Sequence, residues 1–291
     1  MKNKKSNDSF IRKIYKNVKS LLLTLLVVFL ISSSIVGASK VPTGSMEKTI
    51  LVGDFMLINK FIFDISTPRD IPYTNIALPH IKFPSFDEPE KGDIIVFQFP
   101  GYQNELEPQK IEYWVKRCVG EPGDTISIYN NVLYVNGDEF PIPPHIHYSL
   151  DQSESMNQIF PSNSGWKKDF YGPLVIPKKG ERIQLTLENI YKYKTLINRE
   201  LEGDFVKTND NKIFIKGNET DFYTIQKDYY FMVGDNRDNS LDSRYWGFVP
   251  RDKIIGTPIF IYWSWNSDIP FSDFFRLLGS VRLDRIGKIV H

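Results

Sequence analysis

A run of 20 residues without a charge, residues 20–39, constrains this chain more than any other feature of its sequence. A helix rises about 1.5 Å per residue, so a helical run of this length is about 30 Å long, the thickness of the hydrocarbon core of a bilayer. Basic side chains precede the run, at Lys2, Lys4, Lys5, Arg12, Lys13, Lys16 and Lys19. By the positive-inside rule we predict a cytoplasmic basic segment over 1–19, a transmembrane anchor over 20–39, and all later residues on the far side of the membrane.

A cleavable signal peptide is the alternative interpretation of this run, because it ends in the small residues Gly37, Ala38 and Ser39. The apolar part of a signal peptide is usually about 7–15 residues long. The length of the run therefore favours a retained anchor.

Short apolar runs separated by turn residues follow Lys40, with little helical periodicity. Val, Ile and aromatic residues fill these runs, and this composition is typical of strands. The predicted strands are 55–58, 94–97, 113–119, 125–129 and 132–135 (a hairpin that turns at Asn130-Asn131), and a buried strand over 259–265. We therefore predict a mainly β fold with an antiparallel β-sheet core, preceded by one N-terminal transmembrane helix.

The sequence changes in character over residues 141–227, where proline-rich and polar loops surround one predicted helix, 188–200. A further hairpin is predicted at 212–216, with Gly217-Asn218 as its turn. We interpret 141–227 as an inserted smaller subdomain and residues 40–140 and 228–291 as the core. Nothing in the inserted segment suggests chemistry.

Charge and cysteine content exclude several classes of function. The net charge of +1 gives no reason to expect nucleic acid as a partner. The single cysteine, Cys118, can form neither an internal disulfide nor a cysteine-based zinc site. His145 and His147 offer two ligands, which do not make a metal site. We predict no cofactor and no metal.

Three segments combine reactive side chains with turn residues. They are Pro-Thr-Gly-Ser-Met at 42–46, Lys-Arg leading to Gly-Glu-Pro-Gly-Asp over 116–124, and Gly-Asp-Asn-Arg-Asp-Asn-Ser-Leu-Asp-Ser-Arg-Tyr-Trp-Gly at 234–247, here called the Asp/Asn-rich turn. A serine hydroxyl attacks a peptide carbonyl poorly unless a base takes its proton. Lysine can be that base only when neutral, and its ordinary pKa near 10.4 prevents this at pH 7.

Burial can lower the pKa of a lysine by several units, because the ammonium form loses its hydration. Strand alternation places Lys116 on one face with Trp114 and Cys118, which can exclude water. Met232 would add to this shield if its strand were adjacent. Ser45 and Lys116 are therefore the candidate catalytic pair.

Together the three segments resemble the bacterial type I signal peptidases, or leader peptidases, which are membrane-anchored endopeptidases with a serine–lysine dyad. The resemblance runs from the anchor to the C-terminus in segment order and is weakest over 140–227. It implies that Ser45 is the nucleophile and Lys116 the general base. It also implies that the Thr43 hydroxyl and the Ser45 backbone N–H form the oxyanion hole.

The same resemblance assigns roles within the Asp/Asn-rich turn. It implies that Ser240 hydrogen-bonds the lysine and that Asp242 and Arg244 brace the site. The implied fold is a mostly antiparallel β catalytic core with an inserted β subdomain.

The function implied by the resemblance is removal of signal peptides from exported preproteins. The implied partners are signal peptides with small residues at −1 and −3, the phospholipid bilayer, and a nearby secretion translocon. The implied location is the bacterial cytoplasmic (inner) membrane, crossed once, with the N-terminus in the cytoplasm and the catalytic domain on the periplasmic or extracytoplasmic side.

Two other kinds of site fit these motifs less well. The Asp/Asn-rich turn is not an EF-hand, because it lacks the central Gly and has Trp246 at position twelve. No His lies near the three segments in sequence, which argues against a Ser-His-Asp triad. Two rivals remain: a specialised serine–lysine protease for a single secretion or conjugation substrate, and a catalytically inactive membrane-anchored homologue.

One position departs from the family pattern. Lys48 stands where the family normally has a proline, three residues after the nucleophile. We expect the loss of a fixed φ to loosen the backbone there and to alter positioning or rate.

Overall fold

The computed structural model describes residues 2–63, 66–67, 76, 78–79, 81–143, 146 and 158–290, with the backbone alone for 2–11 and 29–34. His145 and His147 lie outside the described residues, as do residues 144 and 148–157 of the predicted insertion.

The described chain is mainly β, as predicted. The helices are α1 (Lys2–Ser34), α2 (Ile190–Glu200), α3 (Ser243–Trp246) and α4 (Phe274–Gly279), with 3₁₀ turns at Arg251–Lys253 and Leu283–Arg285. The strands are β1 (Val36–Lys40), β2 (Asp54–Asn59), β3 (Ile94–Gln98), β4 (Tyr113–Gly120), β5 (Thr125–Tyr129), β6 (Val132–Val135), β7 (Asp138–Glu139), β8 (Phe170–Val175), β9 (Arg182–Gln184), β10 (Val206–Asn209), β11 (Lys212–Ile215), β12 (Asn218–Glu219), β13 (Phe222–Thr224), β14 (Tyr229–Val233), β15 (Val249–Pro250) and β16 (Ile254–Ser264).

The uncharged run is divided between a helix and a strand. α1 ends at Ser34, and β1 pairs antiparallel with β2, from Val36 opposite Asn59 to Lys40 opposite Phe55. The expectation of a helix through residue 39 is therefore wrong for the last residues of the run, which extend the sheet instead. Among the residues described, no helix is both long and apolar enough to cross a membrane.

One seven-stranded sheet, in the order β1-β2-β16-β3-β4-β14-β15, forms the core, and its paired neighbours are antiparallel. The predicted strands at 55–58, 94–97 and 113–119 are confirmed as β2, β3 and β4. The strand predicted at 259–265 corresponds to the second half of β16, which ends one residue earlier, but it is not fully buried, because Ile259 and Tyr262 are each 38% exposed. Pro258 lies where the β16–β2 register shifts, as expected for a residue that cannot donate a ladder hydrogen bond.

A second sheet, in the order β7-β6-β5-β8, contains strands from both sides of the predicted boundary between the core and the inserted segment at residue 140. The β5–β6 hairpin is confirmed, with Asn130 and Asn131 both at positive φ, as a two-residue hairpin turn requires. β8, from the inserted segment, pairs with β5 on the core side of that boundary.

The second predicted hairpin has a different turn. The residues at positive φ are Lys216 and Gly217, and Asn218 already belongs to β12. Helix α2 begins two residues later than predicted and ends at the predicted residue.

Two buried apolar clusters flank the place where the three motif segments meet. One contains Met46 and Ile50 from the loop between β1 and β2, together with residues of β2 and β3 and Val290. The other contains Cys118, Met232 and Trp246, on β4, β14 and α3. The loop that carries Ser45 and the strand that carries Lys116 are thus each held by packed side chains.

Gly256 on β16 marks a close approach of two backbones, and it provides a test of the sheet. A Cβ built there would lie 2.1 Å from the carbonyl oxygen of Asn59. We expect Gly256→Ala to lower the free energy of unfolding by about 2–3 kcal/mol, because β16 must move away from β2. Gly279→Ala is the matched control, since a Cβ at Gly279 meets no atom within 4 Å. Chemical denaturation of both variants is the measurement, and equal stability of the two would contradict the packing described.

Candidate active site

Ser45 lies in a tight turn between β1 and β2 that is anchored from both sides. The N–H groups of Thr49 and Ile50 both donate to the carbonyl of Met46, at 3.1 and 2.8 Å. The Met46 side chain is 2% exposed. The Ser45 carbonyl accepts a hydrogen bond from Asn236 N–H at 3.0 Å, which ties this turn to the Asp/Asn-rich turn.

Lys116 reaches Ser45 from β4. Its Nζ lies 2.6 Å from Ser45 Oγ and 3.2 Å from the carbonyl oxygen of Val115, and Lys116 is only 4% exposed. The Trp114 ring, whose centroid is 5.5 Å from Nζ, covers the amine and stacks on Phe99 at a centroid distance of 4.1 Å. The expected apolar cover from Trp114 is therefore present.

Burial lowers the pKa of Lys116 to about 8. The negative charges of Asp242 and Asp235 oppose this shift, and the positive charge of Arg244 adds to it. Loss of hydration wins because the amine is enclosed. The balance leaves a lysine that is neutral for an appreciable fraction of the time near neutral pH.

Asp242 and Arg244 form a buried ion pair behind the amine. The Arg244 Nε and Nη2 atoms donate to the two carboxylate oxygens of Asp242 at 2.8 and 2.9 Å, and Gly234 N–H donates to the same carboxylate at 3.1 Å. Burial alone would raise the pKa of Asp242, but the charge of Arg244 and the hydrogen bonds that the carboxylate accepts together outweigh burial and hold that pKa below its usual value. Arg244 Nη2 also donates to the Arg237 carbonyl at 2.7 Å, so the pair closes the Asp/Asn-rich turn on itself.

Ser240 differs from its expected role. Lys116 Nζ has Ser45 Oγ and the Val115 carbonyl as its hydrogen-bond acceptors, and the expected Ser240–Lys116 hydrogen bond is absent among the described residues. The Ser240 hydroxyl is buried without a well-formed hydrogen bond, and it packs against Gly234 close to the Asp242 carboxylate. The close contact with Gly234 fixes this orientation.

The two groups expected to form the oxyanion hole lie at the mouth of the site. Thr43 is exposed and lines the cleft beside Ser45. In the described part of the chain the Ser45 N–H has no hydrogen-bond acceptor, so it is available to a ligand. Their role stays a prediction.

Met232 lies on β14, which is adjacent to β4, as the shielding hypothesis required. It is fully buried opposite Cys118 and packs in the apolar cluster that also contacts Trp114. It therefore belongs to the apolar layer on which Trp114 packs.

Sequence reasoning missed a second buried ion pair that joins all three segments. Arg117 donates to both carboxylate oxygens of Asp235, at 2.9 and 2.8 Å, and Thr49 Oγ1 donates to Asp235 Oδ2 at 2.6 Å. Arg117 and Asp235 lie within motif segments, and Thr49 lies three residues after the first segment. The complementary charges of Arg117 and Asp235 were the signal that could have predicted the pairing.

Lys48 adopts a backbone conformation that its family counterpart could not. Its φ is +73°, at the second central position of the turn closed by Thr49 N–H and the Met46 carbonyl. Proline is locked near −65° and cannot take this value. The turn is therefore a different one, held by hydrogen bonds, and it is not simply looser as expected.

A cleft of about 540 Å³ opens beside the pair. It is lined by residues 39–46, Ile50, Met56, residues 112–116, Asn239 and Leu241. Residues 113–116 of β4 pair with β3 on one side, whereas β14 pairs with β4 only from Arg117 onward. In the described ranges no strand covers the other edge of residues 113–116, and no cluster of three metal-ligating side chains occurs.

Known proteins resemble this chain in sequence over most of its length. The family described as "Signal peptidase, peptidase S26" matches residues 14–263. Signal peptidase I of Buchnera aphidicola subsp. Schizaphis graminum is 33% identical over 99% of this chain and 88% of its own, and signal peptidase I of Aquifex aeolicus is 31% identical over 86% and 84%. A crystal structure of a signal peptidase I from Enterococcus faecalis V583 aligns with a TM-score of 0.29 and 22% identity, over 59% of this chain and 97% of that one.

The positive φ of Lys48 predicts opposite effects of two substitutions. Lys48→Gly should keep the turn and stabilise the fold by about 1 kcal/mol, because glycine adopts this φ without strain. Lys48→Pro should destabilise the fold by about 3 kcal/mol, because the turn must break. Thermal unfolding of both variants measures this difference. A Lys48→Pro protein as stable as the parent would show that φ at residue 48 is negative, contrary to the turn described.

Proposed function

The chain belongs to the signal peptidase family, peptidase S26, and is a serine endopeptidase; from this premise we propose that it removes signal peptides with Ser45 as nucleophile and Lys116 as general base. One observation carries the proposal: the 2.6 Å contact between Lys116 Nζ and Ser45 Oγ, enclosed at the end of a cleft. The two groups are already within the distance that proton transfer requires.

Lys116 relays a proton twice in the proposed reaction, once in each half. Ser45 Oγ attacks the scissile carbonyl carbon while its proton passes to the neutral amine of Lys116. The resulting ammonium gives that proton to the leaving amine as the peptide bond breaks, which leaves an ester on Ser45. A water molecule then attacks the ester, Lys116 takes its proton and returns it to Ser45 Oγ, and the product leaves as a carboxylic acid.

The pKa of Lys116 sets the fraction of molecules in which this lysine is neutral and can accept a proton. With a pKa of about 8, about one lysine in ten is neutral at pH 7, against about one in a few thousand at the ordinary value. Because the neutral form is the reactive one, the rate rises with pH until the pH passes the pKa, and then levels.

The developing oxyanion would be held by the Ser45 N–H and the Thr43 hydroxyl. The unpaired N–H at Ser45 supports the first of these donors, and the position of Thr43 on the cleft wall supports the second. Such donors lower the barrier because charge appears where they already point.

An extended peptide suits the cleft. The uncovered edge of residues 113–116 can pair with a substrate strand, and the backbone bonds would align the scissile bond with Ser45. The buried side chains of Met46, Ile50 and Met56 make the adjoining wall apolar. The apolar wall supports uncharged side chains at −1 and −3, and the small size proposed for them is implied by the family resemblance.

A bilayer location follows from the sequence part of the proposal. Basic residues before the uncharged run support an anchor with a cytoplasmic N-terminus and a catalytic domain outside the cytoplasmic membrane. Ser45 follows the end of α1 by 11 residues, so the nucleophile would work near the bilayer surface, where preproteins leave the translocon.

Cleavage of a purified preprotein by the full chain in detergent tests the proposal. We expect Ser45→Ala and Lys116→Met each to lower kcat/KM by at least about a thousandfold, with no further loss in the double variant, because the two groups act as a unit. Lys178→Met, which removes an exposed lysine, is the control and should retain activity.

Residual activity within tenfold of the parent in either dyad variant would rule out the dyad. A folded parent without activity would instead favour an inactive homologue, and cleavage of a single preprotein among many would favour a specialised protease.

A further inference from the structure

We propose that the inserted segment positions one wall of the substrate cleft, with Lys168 as the positioning residue that holds the Asp/Asn-rich turn. The inference rests on the proposed function for its substrate, a signal peptide. It assigns a role to a part of the chain whose sequence contains no recognisable chemistry.

The direct link is an ion pair between Lys168 and Asp238. The Nζ and Oδ1 atoms are 2.8 Å apart, and the two side chains are 20% and 10% exposed. Partial burial makes this pair stronger than an exposed one, because water screens it less. Asp238 is followed directly by Asn239, and Asn239 and Leu241 both line the cleft.

The backbone on either side of Lys168 is fixed by hydrogen bonds that do not involve Asp238. It lies at the tip of a tight hairpin in which Lys167 and Phe170 exchange two backbone hydrogen bonds, at 3.0 and 3.2 Å. The carbonyl of Asp169, also at this tip, accepts a hydrogen bond from Asn131 N–H at 3.3 Å. The hairpin leads directly into β8, which pairs with β5. The ammonium group is therefore presented from a fixed scaffold.

The inserted segment also contacts the C-terminal end of the Asp/Asn-rich turn. Phe160 N–H donates to the Arg244 carbonyl at 2.8 Å, and the Phe160 ring packs on Gly247, where a Cβ would lie 3.1 Å from it. The ring also meets Phe248 edge to face, at a centroid distance of 5.3 Å. Contacts at Asp238 and at Arg244–Gly247 thus bracket the residues that face the cleft.

This arrangement separates substrate positioning from the dyad. Ser45 and Lys116 are set by the Ser45 turn, by β4, and by the contacts of that turn and of β4 with Asp235 and Asn236, none of which uses the 158–170 segment. Asn239 and Leu241 depend on the turn that Lys168 restrains. Loss of Lys168 should therefore weaken substrate binding and leave the chemical step largely intact.

Steady-state cleavage of a preprotein by the full chain in detergent tests this inference. We expect Lys168→Met to raise KM about fivefold with kcat within about twofold of the parent, and Lys168→Arg to restore KM. Lys212→Met is the matched control, because the Lys212–Glu219 pair has the same 2.8 Å length in the inserted region but is more than half exposed, and neither residue lines the cleft. Combining Lys168→Met with Asp238→Asn should add nothing to the single loss.

Binding of a signal peptide to the Ser45→Ala protein gives a second readout that does not need catalysis. In that background, Lys168→Met should weaken the peptide Kd about fivefold, while Lys212→Met should not change it. An unchanged KM and Kd in Lys168→Met, or an equal loss in Lys212→Met, would overturn the inference. If the parent cleaves nothing, the proposed function fails, and the binding comparison still decides the role of Lys168.

Discussion

The burial of one amine, Lys116 Nζ, beside one hydroxyl, Ser45 Oγ, is the contact on which the rest of the site depends. An enclosed ammonium is costly, and that cost is what makes the lysine a usable base. The negative charges of the two nearby carboxylates, Asp242 and Asp235, could have cancelled the lowering of the Lys116 pKa. Instead, Asp242 is paired with Arg244 and Asp235 with Arg117, so each negative charge near the lysine is largely balanced by its own arginine.

Sheet topology brings the parts of the site together from distant places in the chain. Lys116 and Ser45 are 71 residues apart, and Arg117 and Asp235 are 118 apart. The pairing of β4 with β14 places Val233 opposite Arg117, so the Asp/Asn-rich turn begins beside the lysine. The segment between β4 and β14 then returns through Lys168 and Phe160 to hold that turn from outside.

Local sequence patterns predicted most strands of the core and the candidate catalytic pair. Features that depend on contacts between distant parts of the chain were not predicted. Short apolar runs bounded by turn residues predicted β2 to β6, and strand alternation with the chemistry of burial singled out Lys116 with Trp114. Three features depend on contacts that no local pattern encodes. β1 ends the helix at Ser34 because β2 offers it a partner, Ser240 faces Gly234 and not the lysine, and Lys48 takes a positive φ inside a hydrogen-bonded turn. The Lys168–Asp238 pair joins two segments 70 residues apart, and no sequence pattern in either segment indicates that they meet.

A direct titration of Lys116 tests the central claim most sharply. In protein labelled with ¹³C at lysine Cε, the Lys116 resonance can be assigned by its loss in Lys116→Met and followed with pH by NMR. The account predicts a midpoint at a pKa of about 8, separated from the exposed lysines. A midpoint above 10, among the exposed lysines, would mean that the amine is not desolvated and would contradict the account.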